Sequence, residues 1–356
     1  MLNGFYKEKK VFITGHSGFK GSWLCRWLLS EGASVTGYSL PPDTEPSLFR
    51  LLNLEKQIKH IEADVRDTAR LSRELSEARP DIVFHLAAQP LVRRSYKEPR
   101  LTWETNVMGT VNLLDALRSC ETVRSAVVVT SDKCYENREW LWGYREDDAL
   151  GGHDPYSASK GAAELAVSCW RRSFPSSAKI ASARAGNVIG GGDWNSDRLV
   201  PDFIKAIQTG KTLLLRNPVS IRPWQHVLEP LYGYMLLGKR LFGEEGASFA
   251  EAWNFGPPDT AAVTVKELAE KMMLIWGGGK VEIDPASSSQ PHESGFLKLD
   301  CSKAALRLGW RGLWGIDETL RHTVNWYKSQ VDGADSTSLC DSDISAYQNG
   351  IEINGQ

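Results

Sequence analysis

The stretch that most constrains this chain runs from Thr14 to Gly21 and reads Thr-Gly-His-Ser-Gly-Phe-Lys-Gly, with glycines spaced G-x-x-G-x-x-G. It follows an apolar run at residues 10–14 that is typical of a buried strand, and it precedes an apolar stretch with helical spacing. Glycines at these points let the backbone turn tightly and approach a pyrophosphate, while the helix N-terminus offers free N–H groups. The strand–turn–helix context therefore predicts a dinucleotide site. The predicted cofactor contacts in this turn are Gly15, Ser17, Gly18, Phe19, Lys20 and Gly21.

Short apolar runs alternate with helical patterns through the first half of the chain. The predicted strands cover residues 10–14, 33–38, 58–61, 81–86 and 126–130. The clearest helical patterns lie between these runs, at residues 71–78 and 105–117. Strands separated by amphipathic helices imply right-handed crossovers and a parallel sheet. The chain is therefore predicted to be α/β, with a Rossmann-type doubly wound parallel sheet and a smaller C-terminal α/β substrate lobe.

The alternation of strand-like runs and helical patterns ends at about residue 185, beyond which glycine and proline interrupt it. We predict a dinucleotide-binding Rossmann domain at residues 1–186, which carries the catalytic residues. Residues 187–330 are predicted to form mainly the substrate lobe, with some segments returning to the large domain. Residues 331–356 are rich in Ser, Asp, Gly and Asn and are predicted to form a flexible tail.

Composition excludes several classes of protein. The 356 residues carry 42 basic and 44 acidic side chains, a formal charge of −2, which argues against a protein that coats nucleic acid. The six cysteines are scattered singly, which argues against a zinc knuckle, and no metal site is predicted. His292 and Glu293 have no partner at ligand spacing and are assigned no role. Without a signal-peptide core or a long apolar run, the expected location is the cytoplasm, away from membranes.

A second constellation lies downstream of the glycine-rich turn. Tyr156 and Lys160 are four residues apart, a spacing that places both on one face of a helix. An ammonium beside a phenol favours the phenolate, so the pair predicts a tyrosine whose pKa is lowered toward the range of a useful base. An isolated pair of this kind is usually a surface contact, but its position after a nucleotide turn favours the catalytic interpretation.

Together with Leu86-Ala87-Ala88 and the segment Thr105 to Thr110, these residues resemble the extended, nucleotide-sugar branch of the short-chain dehydrogenase/reductase superfamily. The resemblance covers residues 10 to about 325. It implies a nicotinamide coenzyme, NAD by preference, although Ser39 at the end of the second strand leaves NADP open because no carboxylate stands there. Further cofactor contacts implied by the resemblance are Asp64, Val65, Leu86, Ala87, Ala88, Asn106, Tyr156 and Lys160.

The residues Ser131-Asp132-Lys133 stand at the end of the fifth predicted strand, where open parallel sheets expose catalytic groups. The 4,6-dehydratases of this branch carry a hydroxyl, an Asp and usually a Glu here, so the resemblance implies a dehydratase that departs from the pattern at Lys133. Ser131 would hydrogen-bond the sugar O4, and protonated Asp132 would donate to the leaving C6 hydroxyl. Lys133 is interpreted as the base at C5, with electrostatic stabilisation of an enolate as the alternative.

The substrate implied by the resemblance is a CDP-linked sugar. Asn187, Arg198, Arg222 and His226 are the substrate contacts implied by position, and the planar fork of Arg222 suits diphosphate oxygens. Helices near residues 101–117 and 158–170 match those that pair across a four-helix contact in the superfamily, which implies a homodimer. The apolar face of this contact would draw on residues such as Val107, Leu114, Leu165 and Trp170.

Three other interpretations remain open at this point. The chain could be a 4,6-dehydratase of another nucleotide sugar, GDP-mannose or UDP-N-acetylglucosamine. A 4-epimerase is less favoured because epimerisation requires no acid such as Asp132 for a leaving hydroxyl. A non-enzymatic NAD(P)-sensing regulator would have no use for the set of Ser131, Asp132, Tyr156 and Lys160.

Overall fold

The structure is a computed structural model that describes residues 1–174, 176–257, 262–284 and 296–355. The pair His292 and Glu293 lies outside the described residues. Within them, no helix combines the length and the apolar character needed to cross a lipid bilayer.

Seven strands of the described residues form one parallel sheet. They are β1 (Lys10–Thr14), β2 (Ser34–Ser39), β3 (Lys59–Glu62), β4 (Ile82–His85), β5 (Ser125–Val129), β6 (Lys179–Ala185) and β11 (Ala252–Phe255). Their order across the sheet is β11-β6-β5-β4-β1-β2-β3. Neighbouring strands are parallel throughout, so the predicted doubly wound fold is confirmed.

The helices cover both faces of this sheet and continue into the second half of the chain. They are α1 (Phe19–Ser30), α2 (Leu48–Leu51), α3 (Thr68–Ala78), α4 (Val92–Lys97), α5 (Pro99–Trp103), α6 (Gly109–Arg118), α7 (Pro155–Ser173), α8 (Leu199–Gln208), α9 (Leu228–Phe242), α10 (Val265–Trp276), α11 (Ile316–Val331) and α12 (Ser336–Ile353). Short 3-10 turns occupy Leu54–Lys56, Asp132–Cys134 and Glu244–Phe249, and π turns occupy Glu104–Met108 and Ala304–Leu308.

Short strands in the second half form small two-stranded pairings. They are β7 (Val188–Ile189), β8 (Leu213–Leu215), β9 (Ile221–Pro223), β10 (Gln225–His226), β12 (Ala262–Thr264) and β13 (Val281–Ile283). Strand β7 pairs with β10, β8 with β13, and β9 with β12. Strand β11 comes from the second half of the chain and joins the edge of the central sheet. The domain boundary at residue 186 stays a prediction.

Consecutive side chains of a strand point to opposite sides of the sheet. Because helices cover both sides, the side chains on both faces are buried. In β1, Val11 and Ile13 pack in the apolar cluster that includes residues of α1, α9, α11 and α12. Phe12 packs on the other face, in a second cluster that includes residues of α3 and α6. Val11, Phe12 and Ile13 therefore form a continuous apolar run, which made this strand predictable from the sequence.

The prediction of a flexible tail at residues 331–356 is wrong for the described residues, because helix α12 occupies most of that segment. Asp335 caps the helix by accepting a hydrogen bond from the Ser338 backbone N–H at 2.8 Å. The helix packs against α1 and α11. Its buried side chains include Cys340, Ile344, Tyr347 and Ile351, which recur at helical spacing among the polar residues.

A buried carboxylate links α12 to the centre of the protein. Glu229 of α9 is fully buried, and it accepts hydrogen bonds from the Tyr347 hydroxyl at 2.7 Å and from the backbone N–H groups of Leu313 and Trp314. Burial raises the pKa of Glu229 to about 7, although these hydrogen bonds oppose the rise. Above neutral pH the Glu229 carboxylate is therefore ionised. Its accommodation inside the protein depends on each of these hydrogen-bond donors.

We expect Tyr347→Phe to lower the free energy of unfolding at pH 8 by about 2 kcal/mol, because a buried carboxylate loses a hydrogen bond there. The matched control is Tyr232→Phe, since Tyr232 is also buried but its hydroxyl has no hydrogen-bond partner among the described residues. That variant is expected to change stability by less than about 0.5 kcal/mol. Urea unfolding of both variants measures the difference. Equal losses would contradict this role of the Tyr347 hydroxyl.

Candidate active site

A cleft of about 500 Å³ crosses the carboxyl edge of the central sheet. Residues at or just after five strand ends line it, namely Gly15, Ser39, Asp64, Leu86 and Ser131. The strand order reverses direction between β1 and β4, which makes this the topological switch point where open α/β sheets bind ligands.

The glycine-rich turn forms one wall of the cleft. Gly15 adopts a positive φ of 76°, and a Cβ atom there would lie 2.6 Å from the Ala87 backbone nitrogen. The turn therefore requires glycine at this position. Helix α1 begins directly after Gly18, so its first N–H groups face the cleft without intrahelical acceptors. This combination of close backbone approach and a helix N-terminus fits the pyrophosphate of a dinucleotide.

The predicted cofactor contacts line this cleft with one exception. Asn106 is buried in the π turn and does not line it. Its side chain accepts a hydrogen bond from the Gln89 N–H at 2.8 Å and donates to Ser159 Oγ at 2.9 Å. The structure therefore corrects the assignment of Asn106 as a cofactor contact, because both hydrogen bonds tie the loop after β4 to helix α7.

The far end of the cleft contains hydroxyls and a carboxylate. Ser17 Oγ donates to the Leu40 carbonyl at 2.7 Å, so the Ser39 hydroxyl, 2.7 Å away, donates to Ser17 Oγ. Burial alone would raise the pKa of Asp64, but hydrogen bonds from Arg66 lower it overall. Asp64 is thus an oriented anion at the end of the cleft where an adenosine would lie.

Ser131 and Asp132 follow β5 and share a hydrogen bond. Ser131 Oγ donates to Asp132 Oδ1 at 2.9 Å and accepts from the Lys133 backbone N–H at 3.2 Å. Burial raises the pKa of Asp132, against the opposing effects of Lys133, Ser131 and Arg222. A Cβ atom on Gly186 would lie 3.0 Å from Asp132 Oδ2, so glycine there leaves room for the carboxyl group. Burial therefore makes ionisation of Asp132 harder than in water.

Tyr156 and Lys160 lie on the first turns of α7 and line the same cleft as Ser131 and Asp132. The Lys160 ammonium donates to the Val129 carbonyl at 3.4 Å. Burial lowers the pKa of Lys160 to about 8, while Glu164 opposes the fall. Burial raises the pKa of Tyr156 to about 12, although Ser131 and Arg198 oppose the rise. The prediction of a lowered Tyr156 pKa is therefore wrong, because desolvation of the phenolate outweighs the opposing effects of Ser131 and Arg198.

Two further lysines line the cleft, Lys20 and Lys133. The Lys20 ammonium lies 6.0 Å from the centre of the Tyr234 ring. Burial lowers the pKa of Lys20 to about 7, with Arg198 and Lys160 acting in the same direction and Asp132 opposing. Lysines, a buried acid and a phenol therefore share one end of the cleft.

The substrate contacts implied by the resemblance divide into two groups. Asn187, Arg198 and Arg222 line the cleft, and Arg198 pairs with Asp193 at 2.8 Å. His226 does not, and its assignment as a substrate contact is corrected. Its ring is fully buried against Trp23 and Trp314 because the pairing of β10 with β7 points this side chain into the core.

Two arginines that the sequence analysis did not single out also line the cleft. Arg93 of α4 and Arg216 of the segment after β8 both approach Asp197 Oδ1, at 3.6 Å and 2.6 Å. They come from opposite sides of the cleft, so only the folded chain brings them together. No local sequence pattern distinguishes these two arginines from the other 40 Lys and Arg residues of the chain. Among the described residues, no group of three or more His, Cys, Asp or Glu side chains could hold a metal ion.

Comparison with known proteins identifies a family and similar relatives. A family model described as GDP-mannose 4,6 dehydratase matches residues 12–323. The chain is 50% identical over 355 residues to the CDP-glucose 4,6-dehydratase of Salmonella typhimurium, covering 96% of this chain and 97% of that protein. It is 28% identical to the dTDP-glucose 4,6-dehydratase of Streptomyces antibioticus, covering 89% of this chain and 92% of that protein.

Solved structures of similar fold include a dTDP-glucose 4,6-dehydratase from Streptomyces venezuelae with NAD and TYD bound. That structure superposes with a TM-score of 0.76 at 24% identity, covering 92% of this chain and 99% of that one. A UDP-glucose 4-epimerase from Thermotoga maritima also has a TM-score of 0.76, at 22% identity, covering 90% of this chain and 99% of that one. The overall fold is therefore common to dehydratases and epimerases, and it does not by itself select a reaction.

Proposed function

The chain belongs to the family described as GDP-mannose 4,6 dehydratase, and we propose that it is a lyase that converts CDP-glucose to CDP-4-keto-6-deoxyglucose and water. The observation that carries this proposal is the 50% identity, over 96% of the chain, with a CDP-glucose 4,6-dehydratase. Relatives named for dTDP-glucose reach 24% to 28% identity, which favours the cytidine nucleotide. The same comparison disfavours GDP-mannose and UDP-N-acetylglucosamine as substrates.

The proposed coenzyme is NAD, which solved structures of the same fold contain. When bound, it accepts a hydride from C4 of the sugar and returns it to C6, so the reaction has no net redox change. The glycine-rich turn would hold its pyrophosphate, and Asp64 with Ser39 would face its adenosine. Among the lining residues from 39–44 and 63–65 there are two carboxylates and no cation, which favours a free ribose over a 2′-phosphate.

Tyr156 is the proposed base for the O4 proton. Its pKa of about 12 makes the phenolate, the form that can accept the O4 proton, a minor species at neutral pH. The Ser131 hydroxyl and the Lys160 ammonium would stabilise this phenolate, which becomes the neutral phenol when it takes the proton from O4. Activity that depends on this base should rise with pH until Lys160 loses its proton, near pH 8.

Asp132 is the proposed acid for the elimination step. Once C4 is a ketone, the C5 proton is acidified and the C6 hydroxyl can leave as water if it receives a proton. Burial raises the pKa of Asp132, which favours the protonated form that can donate. An epimerase would not need this group, so its position beside Ser131 supports a dehydratase.

Lys133 occupies the position at which most dehydratases of this branch carry a glutamate, and we propose that it removes the C5 proton. If so, Lys133→Glu should keep turnover within about ten-fold of wild type, while Lys133→Arg should lower kcat by about 10³-fold, because guanidinium cannot accept a proton. Initial rates with CDP-glucose measure both. Normal turnover by Lys133→Arg would instead assign Lys133 the electrostatic role on the enolate oxygen.

The proposed substrate is tested by incubating the protein and NAD with CDP-glucose, dTDP-glucose, UDP-N-acetylglucosamine and GDP-mannose in parallel. A 4-keto-6-deoxy product develops ultraviolet absorbance in alkali, and we expect this signal with CDP-glucose. A signal with GDP-mannose alone would transfer the proposal to that substrate. Intact sugars in every reaction would overturn the dehydratase proposal.

We also propose a cytoplasmic homodimer that forms through α5, α6 and α7. The side chains of Trp103, Met108 and Leu165 are 42%, 50% and 61% exposed, which gives these helices an apolar outer surface. Leu114, which the sequence analysis placed on this surface, is fully buried in the core and cannot contribute. Sedimentation of wild type and of Leu165→Glu tests the contact, and a wild-type monomer would overturn it.

A further inference from the structure

A buried carboxylate lies beneath the catalytic face of α7. Glu164 follows Lys160 by one helical turn, and its side chain is only 2% exposed. It accepts hydrogen bonds from three other side chains: the hydroxyl of Thr130 after β5, the hydroxyl of Ser182 on β6 at 2.7 Å, and the guanidinium of Arg184 on β6 at 2.9 Å. One carboxylate therefore joins the helix that carries Tyr156 and Lys160 to the end of β5 and to β6.

Arg184 completes a buried ion pair with Glu164. Its side chain is 3% exposed, and its NH1 group donates to the Tyr135 hydroxyl at 2.6 Å and to the Glu146 carbonyl at 2.8 Å. Burial alone would raise the pKa of Glu164, but Arg184 and the hydroxyl donors lower it overall, so the carboxylate stays ionised. The pair thus places a carboxylate and a guanidinium side by side inside the protein.

Stability alone does not account for the buried Glu164–Arg184 ion pair. Taking two charges out of water is costly, and replacing a buried ion pair by apolar groups is often neutral or stabilising. Its placement suggests a different use, because Thr130 directly precedes Ser131. The contacts of Glu164 therefore fix the strand end that carries Ser131 and Asp132 against the helix that carries Tyr156 and Lys160.

Glu164 also supplies the negative charge that acts on Lys160. Cys134, in the 3-10 turn after β5, and His85 of β4 also act on this ammonium. Burial keeps both neutral, since it raises the pKa of the thiol well above its usual value and lowers the pKa of the imidazole to about 3. Lys20 on α1 adds a like charge when protonated. Burial lowers the pKa of Lys160, and among the groups that oppose this fall the Glu164 carboxylate has the largest effect.

We infer that Glu164, held by Arg184, is a positioning residue that keeps Lys160 in its cationic form and aligns it with the Ser131–Asp132 strand end. The inference deepens the proposed dehydration and rests on it for its kinetic consequence. The Lys160 ammonium stabilises the Tyr156 phenolate only while it is protonated. Removing the charge of Glu164 shifts the loss of that proton to lower pH.

The test measures the protonation of Lys160 directly, without turnover. Trace labelling of the whole protein with an amine-reactive anhydride across a pH series, read by mass spectrometry at the Lys160 peptide, gives the midpoint at which the amine becomes reactive. We expect a midpoint near pH 8 in wild type, a midpoint lower by about one pH unit in Glu164→Gln, and a wild-type midpoint in Glu164→Asp, which keeps the charge.

A second variant covers the case in which an unpaired Arg184 prevents folding. The double variant Glu164→Gln with Arg184→Met removes both buried charges, and it should fold and still lower the midpoint. With CDP-glucose, both uncharged variants should show a decline in kcat that begins at lower pH, with KM within about two-fold. Wild-type midpoints in folded uncharged variants would overturn the inference. If the labelling midpoints shift but wild type dehydrates no nucleotide sugar, the proposed function fails while the role of Glu164 in the charge of Lys160 stands.

Discussion

Asp132→Asn is expected to lower kcat for dehydration by about 10³-fold, the scale of a lost general acid, while leaving the oxidation at C4 intact. The amide has the same shape as the carboxylic acid and can occupy the space beside Gly186 and Ser131. It cannot protonate the leaving C6 hydroxyl. Burial raises the pKa of Asp132, which supports its role as the proton donor, whereas the amide has no acidic proton to give.

The measurement separates the two halves of the reaction. In the variant, mixing with CDP-glucose should raise the near-ultraviolet absorbance of reduced coenzyme, while the alkali-sensitive product stays absent. The matched control is Asp115→Asn on the exposed side of α6, where Asp115 pairs with Arg118 at 2.8 Å. That variant is expected to keep wild-type turnover. Full turnover by Asp132→Asn would assign the acid to another group, and a loss of coenzyme reduction would assign Asp132 to the first step instead.

The parts of the fold and site that the sequence predicted are those that local physics determines. Strand β1 is a continuous apolar run because both of its faces are buried, and the glycine turn after it needs a positive φ at Gly15 whatever the rest of the chain does. The spacing of Tyr156 and Lys160 fixes their shared helical face in the same way. These features require no knowledge of distant contacts.

The features that were wrong depend on contacts between distant segments. His226 lies beside the predicted diphosphate arginine in sequence, but the pairing of β10 with β7 turns its ring into the core. Asn106 belongs to a motif of the family, but it holds the loop after β4 rather than the cleft wall. Helix α12 is polar in composition and gains its stability from packing on α1, a partner more than 300 residues away in the chain.

The pKa of Tyr156 shows a further limit of sequence reasoning. A lysine four residues away argues for a lowered value, but burial raises the pKa to about 12, since the phenolate loses its hydration inside the protein. The Ser131 hydroxyl and Arg198 reduce this effect without reversing it. Only the phenolate form of Tyr156 can accept the proton that leaves O4, so this oxygen is expected to be essential for the first step.

Tyr156→Phe is accordingly expected to lower kcat by about 10³-fold or more, because without the phenol no group accepts the O4 proton and C4 cannot be oxidised. Unlike Asp132→Asn, this variant should show no rise in reduced-coenzyme absorbance on mixing with CDP-glucose. The matched control is Tyr234→Phe, since Tyr234 is also fully buried close to this end of the cleft and its hydroxyl has no hydrogen-bond partner among the described residues. That variant should retain turnover within about two-fold.

The two variants together test the order of steps that the geometry supports. Tyr156 lies on the helix and Asp132 on the strand end, so each can be removed without displacing the other. If hydride leaves C4 before water leaves C6, coenzyme reduction must survive loss of the acid but not loss of the base. Reduction that survives in Tyr156→Phe at the wild-type rate would mean that another group of the cleft, such as the amine of Lys20 or Lys160, accepts the O4 proton.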